Sequence, residues 1–390
     1  MKKFTKLSLV AAVAVAGLSS ANAQALEEAI KNVDVSGSVT YRYDNYGDDN
    51  GAGQIKQDNK YKINLNLSSK VNDYVTFNSR FNVASANNDF VNVGGGQKGS
   101  DGNAEVRLSQ AYFGFTGIAN TTVNVGKQGL ATPWTVATDN DGSEQTGTGI
   151  FSVTAVDKFV VGLAYFNQTN INNSDLPDLN SLGLINFNEG SRDIYAATLQ
   201  ANYGFVNAEA WYLKANDLFN TYTLAVHGKL DLAESAKLGY EVRYVSLDAG
   251  DIDKSLDSNS LLRFAVNGKF GIVNAKLAYT ITDKDGGLTA LDKDSQNASL
   301  GWNLNTLNKY DAKFLQATVG ADVLDNLNLS LNYNTLEHDE SGTKVDQDEI
   351  FAQLTYKMSK NLDGYIRYGK LDLDNNNEQN AGRLQVNYKF

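Results

Sequence analysis

The stretch Val33–Tyr43, VDVSGSVTYRY, places Val33, Val35, Gly37, Val39, Tyr41 and Tyr43 on one side of an extended chain. Asp34, Ser36, Ser38, Thr40 and Arg42 fall on the other side. Successive side chains of a β-strand point to opposite faces, so this stretch reads as a strand with one greasy and one wet face. The next two segments repeat it. Tyr61, Ile63, Leu65 and Leu67 oppose Lys60, Lys62, Asn64 and Asn66; Val75, Phe77, Phe81 and Val83 oppose Thr76, Asn78, Arg80 and Asn82. A lysine or arginine set strictly opposite an apolar face is what a wall with lipid outside and water inside requires.

Working outward, the same period-two pattern yields 18 candidate strands of about 8 to 12 residues, near the 9–11 that a tilted membrane strand needs. They start near Val33, Lys60, Tyr74, Glu105, Thr121, Gly149, Phe159, Arg192 and Phe205, then near Phe219, Ala236, Ser260, Gly271, Ala312, Asn326, Gln347, Asn361 and Ala381. Short connectors alternate with longer polar ones at residues 44–59, 85–104, 129–148, 168–191, 247–259, 283–311, 337–346 and 373–382, with a short outer connector at 216–218. That alternation belongs to membrane barrels with short turns on one side and long loops on the other. Both prolines, Pro133 and Pro177, fall in long connectors, where no strand donor is lost. The expected fold is therefore all-β, a transmembrane antiparallel up-and-down barrel of 18 strands; the third loop folded into the lumen is expected by analogy with large membrane barrels of this general type and is not read from the period. Sixteen strands is the alternative, because the strands starting at Thr121 and Gly149 are short and residues 298–304 form an apolar stretch that fits either a strand or a folded loop.

The ends and the composition agree. Lys2, Lys3 and Lys6, the apolar run Leu7–Gly17 and Ala21-Asn22-Ala23 read as an export signal cleaved before Gln24. The expected division is residues 1–23 as signal peptide and 24–390 as an outer-membrane barrel. Removing 23 residues from 390 leaves 367, and losing three lysines takes the net charge from −11 to −14. Such acidity argues against nucleic acid as a partner and favours cations. There are 20 Tyr and 17 Phe, 34 Gly, 2 Pro and no Cys, a balance suited to strands closed by their own ladders. The chain ends on RLQVNYKF, in which Leu384, Val386, Tyr388 and Phe390 alternate with Arg383, Gln385, Asn387 and Lys389, a closing strand that pairs with the first.

LEEAIKNVDVSGSVTYRYD (residues 26–44), QDNKYKINLNL (57–67), VNVGKQ (123–128) and the terminal LQVNYKF (384–390) resemble the major outer membrane porins of Campylobacter and its relatives. The resemblance implies a trimeric, general-diffusion, cation-preferring channel of 18 strands in the bacterial outer membrane. Its partners are then ions, small hydrophilic solutes and outer-membrane lipid. A substrate-selective uptake channel and a surface adhesin or structural outer-membrane protein are the competing functions. The first strand begins about ten residues after the cleavage point, which leaves no room for a plug domain.

Selectivity in a pore is set by charged side chains at its narrowest point. The third long loop, GLATPWTVATDNDGSEQTGT (residues 129–148), holds Asp139, Asp141 and Glu144 and no cation. Folded inward, these face Arg42, Lys62, Arg80 and Arg107 on the polar side of the first four strands; Arg243, Arg263 and Arg367 lie on the same side further on. No resident cofactor is expected. Asp139-x-Asp141 and Asp372-x-Asp374 supply oxygen ligands that suit Ca²⁺, but neither completes the EF-hand pattern, so they read first as solvated loop acids, with a weakly bound Ca²⁺ at the constriction as the alternative. Catalysis is not expected. GGGQKG at 94–99 lacks a following βαβ unit, no G-x-S-x-G occurs, and the two histidines, His227 on a lumen face and His338 in a loop, stand far apart. Trp134, Trp211 and Trp302 read as structural or interfacial residues, with contact to solutes the alternative for Trp134 in the third loop.

Overall fold

A computed structural model of the chain describes residues 33–48, 56–84, 90–92, 104–139, 144–171, 192–250, 259–373 and 378–390. The signal-peptide reading, Asp141 and Pro177 lie outside the described residues. Every element among the described residues is a strand. The first nine are β1 (Val33–Asp48), β2 (Lys56–Lys70), β3 (Val75–Ala84), β4 (Val91–Asn92), β5 (Glu105–Ile118), β6 (Thr121–Gly129), β7 (Thr146–Val156), β8 (Phe159–Thr169) and β9 (Ile194–Asn202). The next five are β10 (Asn207–Ala215), β11 (Phe219–Ala233), β12 (Ala236–Asp248), β13 (Asn259–Phe270) and β14 (Val273–Thr282). The last five are β15 (Tyr310–Leu324), β16 (Leu327–Glu340), β17 (Thr343–Lys357), β18 (Leu362–Asp372) and β19 (Glu378–Lys389).

β4 is a two-residue continuation of β3 that pairs with Lys60 and Tyr61 of β2. The 18 long strands pair antiparallel with their sequence neighbours, and β19 returns to β1. The wall is a closed barrel of 18 strands, which removes every free sheet edge. At the seam Tyr41 faces Val386 and Arg42 faces Gln385. The terminal Phe390 exchanges backbone hydrogen bonds with Gly37 at 2.9 and 3.1 Å. Its ring lies over that glycine, where a Cβ would approach ring Cζ to 2.6 Å, so only glycine leaves room for the ring.

Side chains on the outer face are exposed all round the cylinder. Leu163, Leu224, Leu277, Leu331 and Ile366 are each more than half exposed. An apolar surface of that extent belongs against hydrocarbon. Tyr165 packs on Tyr195 and Tyr222 on Tyr244 towards the long-loop end, and Phe159 on Tyr203 at the short-turn end. These are the aromatic girdles of the two interfaces. No helix among the described residues is long and apolar enough to cross a membrane.

The strands run longer than the pattern predicts, up to 16 residues in β1 and 15 in β15 and β17. Beyond the membrane both faces of a strand meet water, so the alternation fades there and polar strand reads as loop. Residues 337–346 show this most clearly. The expected long loop is a hairpin whose tip is Ser341 and Gly342, both at positive φ (52° and 82°). His338 accordingly lies in β16 and is buried, not in a loop. Residues 298–304 are not a barrel strand. They belong to the seventh outer loop, residues 283–309, and make only an isolated bridge between Leu300 and Asn305.

A hydrophobic core sits inside the barrel. Phe166, Ile194, Leu213, Phe219, Val245 and Leu261, projecting inward from β8 to β13, pack against Leu130 and Trp134 of the third loop and Leu288 and Leu291 of the seventh. The seventh loop extends this core along the wall, with Leu304 against Phe314, Leu336 and Leu371, and Trp302 against Phe351 and Ala381.

Candidate functional site

The third loop is closed on itself before it meets the wall. Gly129 and Thr146 pair across β6 and β7, the Leu130 amide donates to the Gln145 carbonyl (2.9 Å), and the Gln145 amide donates to the Val136 carbonyl (2.9 Å). The Gln145 side chain accepts from the Val136 amide (2.9 Å) and donates to the Leu291 carbonyl of the seventh loop (2.9 Å). Trp134 is fully buried, so it is the anchor of the loop and does not contact solutes. Its carbonyl accepts from the Leu291 amide (2.8 Å), and the Pro133 carbonyl accepts from the Asn297 amide (2.9 Å).

The seventh loop is pinned to the wall along its length. Arg263 of β13 donates to the Ala298 carbonyl (2.9 Å) and Gln316 of β15 to the Leu300 carbonyl (2.8 Å). Asn297 donates to the Thr223 hydroxyl of β11 (2.7 Å). Glu349 of β17 accepts from the backbone amides of Trp302 (2.6 Å) and Asn303 (2.8 Å) and from the Asn334 side chain (2.7 Å). A Cβ at Gly301 would stand 1.9 Å from a Glu349 oxygen, so glycine is needed for this approach. A buried carboxylate that accepts several N–H groups has exchanged its water for protein donors, and it fixes the backbone that supplies them.

Of the residues singled out from the sequence, several converge on these loops. Glu144 is fully buried and accepts from Arg80 Nε (2.8 Å) and from the Ser109 hydroxyl (2.6 Å). Arg80 also donates to Asn66 (2.7 Å). Lys62, buried on β2, donates to the Asp139 carbonyl (2.8 Å). Arg42 donates through Nε to Gln385 (2.7 Å), and its guanidinium lies 4.3 Å from the centre of the Phe90 ring. Arg107 bonds Glu105 (2.6 Å) on its own strand, and no hydrogen bond joins it to the described residues of the third loop. A polar cavity of about 330 Å³ runs between the third loop and the β1–β19 seam, bordered by Ser38, Thr40, Asn66, Arg80, Thr138 and Gln385. A second, of about 350 Å³, lies under the seventh loop beside Arg263, Lys276, Asp294 and Gln316.

Where the loops meet, the carboxylates of Asp139, Asp292 and Asp294 offer oxygens within 4.8 Å of one another. Sequence reasoning found Asp139 and missed its partners, because the seventh loop reads as an outer connector. One signal was present. Leu288, Leu291, Leu300, Leu304 and Leu307 make that segment too apolar to lie in water.

Two further features distinguish the lumen wall. Arg243 and Arg263 stand directly opposite each other on β12 and β13, as do Arg367 and Arg383 on β18 and β19. Glu209 and Glu241 bridge to the first pair (2.7 and 2.6 Å). In the second pair, among the described residues, Arg383 alone has a carboxylate partner, Asp44.

A closed 18-stranded barrel with an apolar exterior and two loops folded into a charged lumen defines a pore-forming protein of the outer membrane. The chain belongs to the family described as Campylobacter major outer membrane protein, which it matches over residues 1–390. No curated protein sequence matches it. Among solved structures it is similar to OccK5 (OpdH) of Pseudomonas aeruginosa, at 13% identity over 92% of this chain and 98% of that one, with a TM-score of 0.72. OpdL of the same organism gives 14%, 92%, 99% and 0.73. The BenF-like porin of Pseudomonas fluorescens gives 14%, 92%, 99% and 0.70. At these identities the likeness carries the fold. The protein is an integral outer-membrane porin, a channel for the diffusion of solutes.

Proposed function

We propose that the channel passes ions and small hydrophilic solutes passively, prefers cations, and holds a divalent cation at its constriction. One observation carries this reading: three carboxylates converge where two inward-folded loops meet. Like charges that close raise each other's energy, and a cation between them lowers it. Most of the nearby wall cations are already neutralised, Arg80 by Glu144, Arg263 by Glu241 and Arg383 by Asp44. Oxygen ligands from Asp139, Asp292 and Asp294 suit Ca²⁺, which would add a positive cross-link between the loops and leave the barrel wall untouched.

The test is a planar-bilayer recording in a salt gradient. Wild-type protein is expected to give a reversal potential of cation-preferring sign. Replacing Asp292 and Asp294 with asparagine is expected to lower the cation-to-anion ratio by about fivefold, the weight of roughly 1 kcal/mol of contact attraction in water. A divalent chelator is expected to shift the wild-type melting curve and leave that of the double variant unmoved. An unchanged reversal potential removes the aspartates from the selectivity site, and correctly folded protein that carries no current removes the channel reading.

Family membership supports a trimer, and the Lys-rich start followed by an apolar run supports export and removal of residues 1–23. The mass of the purified complex is then expected to be three times that of a subunit beginning at Gln24. A single-subunit mass, or a retained leader, counts against these two readings.

A further inference from the structure

The two opposed arginine pairs differ in a way that the constriction does not explain. Like charges directly across a β-ladder are destabilising, and such a pair normally survives with compensating acids. Arg243 and Arg263 have theirs in Glu209 and Glu241. Arg367 has none: no carboxylate lies within ion-pair distance of it among the described residues. The nearby Glu349 is committed to the seventh-loop amides and to Asn334.

Arg367 is nevertheless held in place. Its Nε donates to Gln353 (2.8 Å), and its guanidinium carbon stands 4.9 Å from the Phe351 ring centre, 5.1 Å from Trp302 and 5.2 Å from Tyr365. Both terminal nitrogens are left with no hydrogen-bond partner among the described residues. A planar, oriented guanidinium with its two-nitrogen end open has the geometry that takes a carboxylate in a bidentate fork. Arg383, directly opposite and 5.9 Å from the same Trp302 ring, is paired with Asp44, so the uncompensated charge of the couple is that of Arg367.

We propose that Arg367 is the anchor of a carboxylate-binding subsite in the lumen, with Gln353 and the Phe351–Trp302–Tyr365 rings as its positioning residues. The subsite rests on the channel reading above and deepens it. A pore of overall cation preference thereby acquires one place that retains solutes bearing an organic carboxylate. Amino acids and short peptides, with an ammonium as well as a carboxylate, are the class that both fields admit.

The probe is sodium N-acetylglycinate added to the full-length protein in a planar bilayer, compared with its uncharged analogue N-acetylglycinamide at equal ionic strength. The carboxylate is expected to interrupt the current in a saturable way that the amide does not. Arg367→Gln is expected to raise the half-saturating concentration by roughly tenfold or more, the weight of a charge-assisted bidentate contact. Open-channel conductance and gel mobility before and after heating report whether the variant is folded. Should the glutamine variant not fold, Arg367→Lys carries the same test, since lysine keeps the charge and loses the fork, and half-saturation must still rise. Equal interruption by carboxylate and amide overturns the proposal, and so does an unchanged half-saturation in a folded variant. A wild-type protein that conducts nothing overturns the channel reading instead.

Discussion

Arg80→Ala is expected to destabilise the third loop by about 3–5 kcal/mol, the usual consequence of stranding one member of a buried ion pair. Glu144 has no exposed surface and takes three of its hydrogen bonds from the Arg80 guanidinium. Without that cation the carboxylate keeps the Ser109 hydroxyl and little else on its oxygens. It must then draw in water or a proton, either of which loosens the loop from β3 and β5. Removing the partner as well, in Arg80→Met with Glu144→Leu, is expected to return most of the stability, because the buried charge that needs compensation is gone. Protease nicking of the third loop in detergent-solubilised protein reads this directly. If the double replacement is cut as fast as the single one, the ion pair is not what secures the loop.

The second large effect concerns Glu349→Ala. The carboxylate gathers the amides of Trp302, Asn303 and Leu304, and each buried donor left without an acceptor costs about 1–3 kcal/mol. The seventh loop would detach at its β17 end and stay fixed through Arg263 and Gln316. The expected recording is a larger and noisier open current from a barrel whose strand content is unchanged. A quiet channel of wild-type conductance would show that the loop is held by its apolar contacts alone.

The strand order was legible because each barrel strand samples two solvents in turn. Glu105, Thr121, Phe159, Phe219 and Ala236 begin β5, β6, β8, β11 and β12 where the alternation places them. The pattern failed where only one solvent acts. At 337–346 both faces meet water, so the β16–β17 hairpin resembled a loop. In the lumen the failure was of another kind. The inward path of the third loop was expected by analogy with porins, and the burial of Asp139 and Glu144 agrees with an inward position. The seventh loop was not foreseen as a partner. Its contacts, such as Asn297 to Thr223 and Glu349 to Trp302, join residues 47 to 74 positions apart, and no local period records such distances. Arg107 carries the same polar-face signature as Arg80, yet one meets Glu144 and the other meets Glu105. Periodicity assigns a face and leaves the neighbour unspecified.

The Trp134–Leu291 interior gives this cylinder two kinds of cohesion at once. Lipid shields the ladder bonds of the wall, whereas the apolar contents are held by exclusion of water, a force that weakens on cooling and in denaturant. Denaturant enters through the very passage the contents narrow. Permeability and integrity are therefore separate thermodynamic properties of one molecule: the obstruction can melt and refreeze inside a tube that never opens its seam.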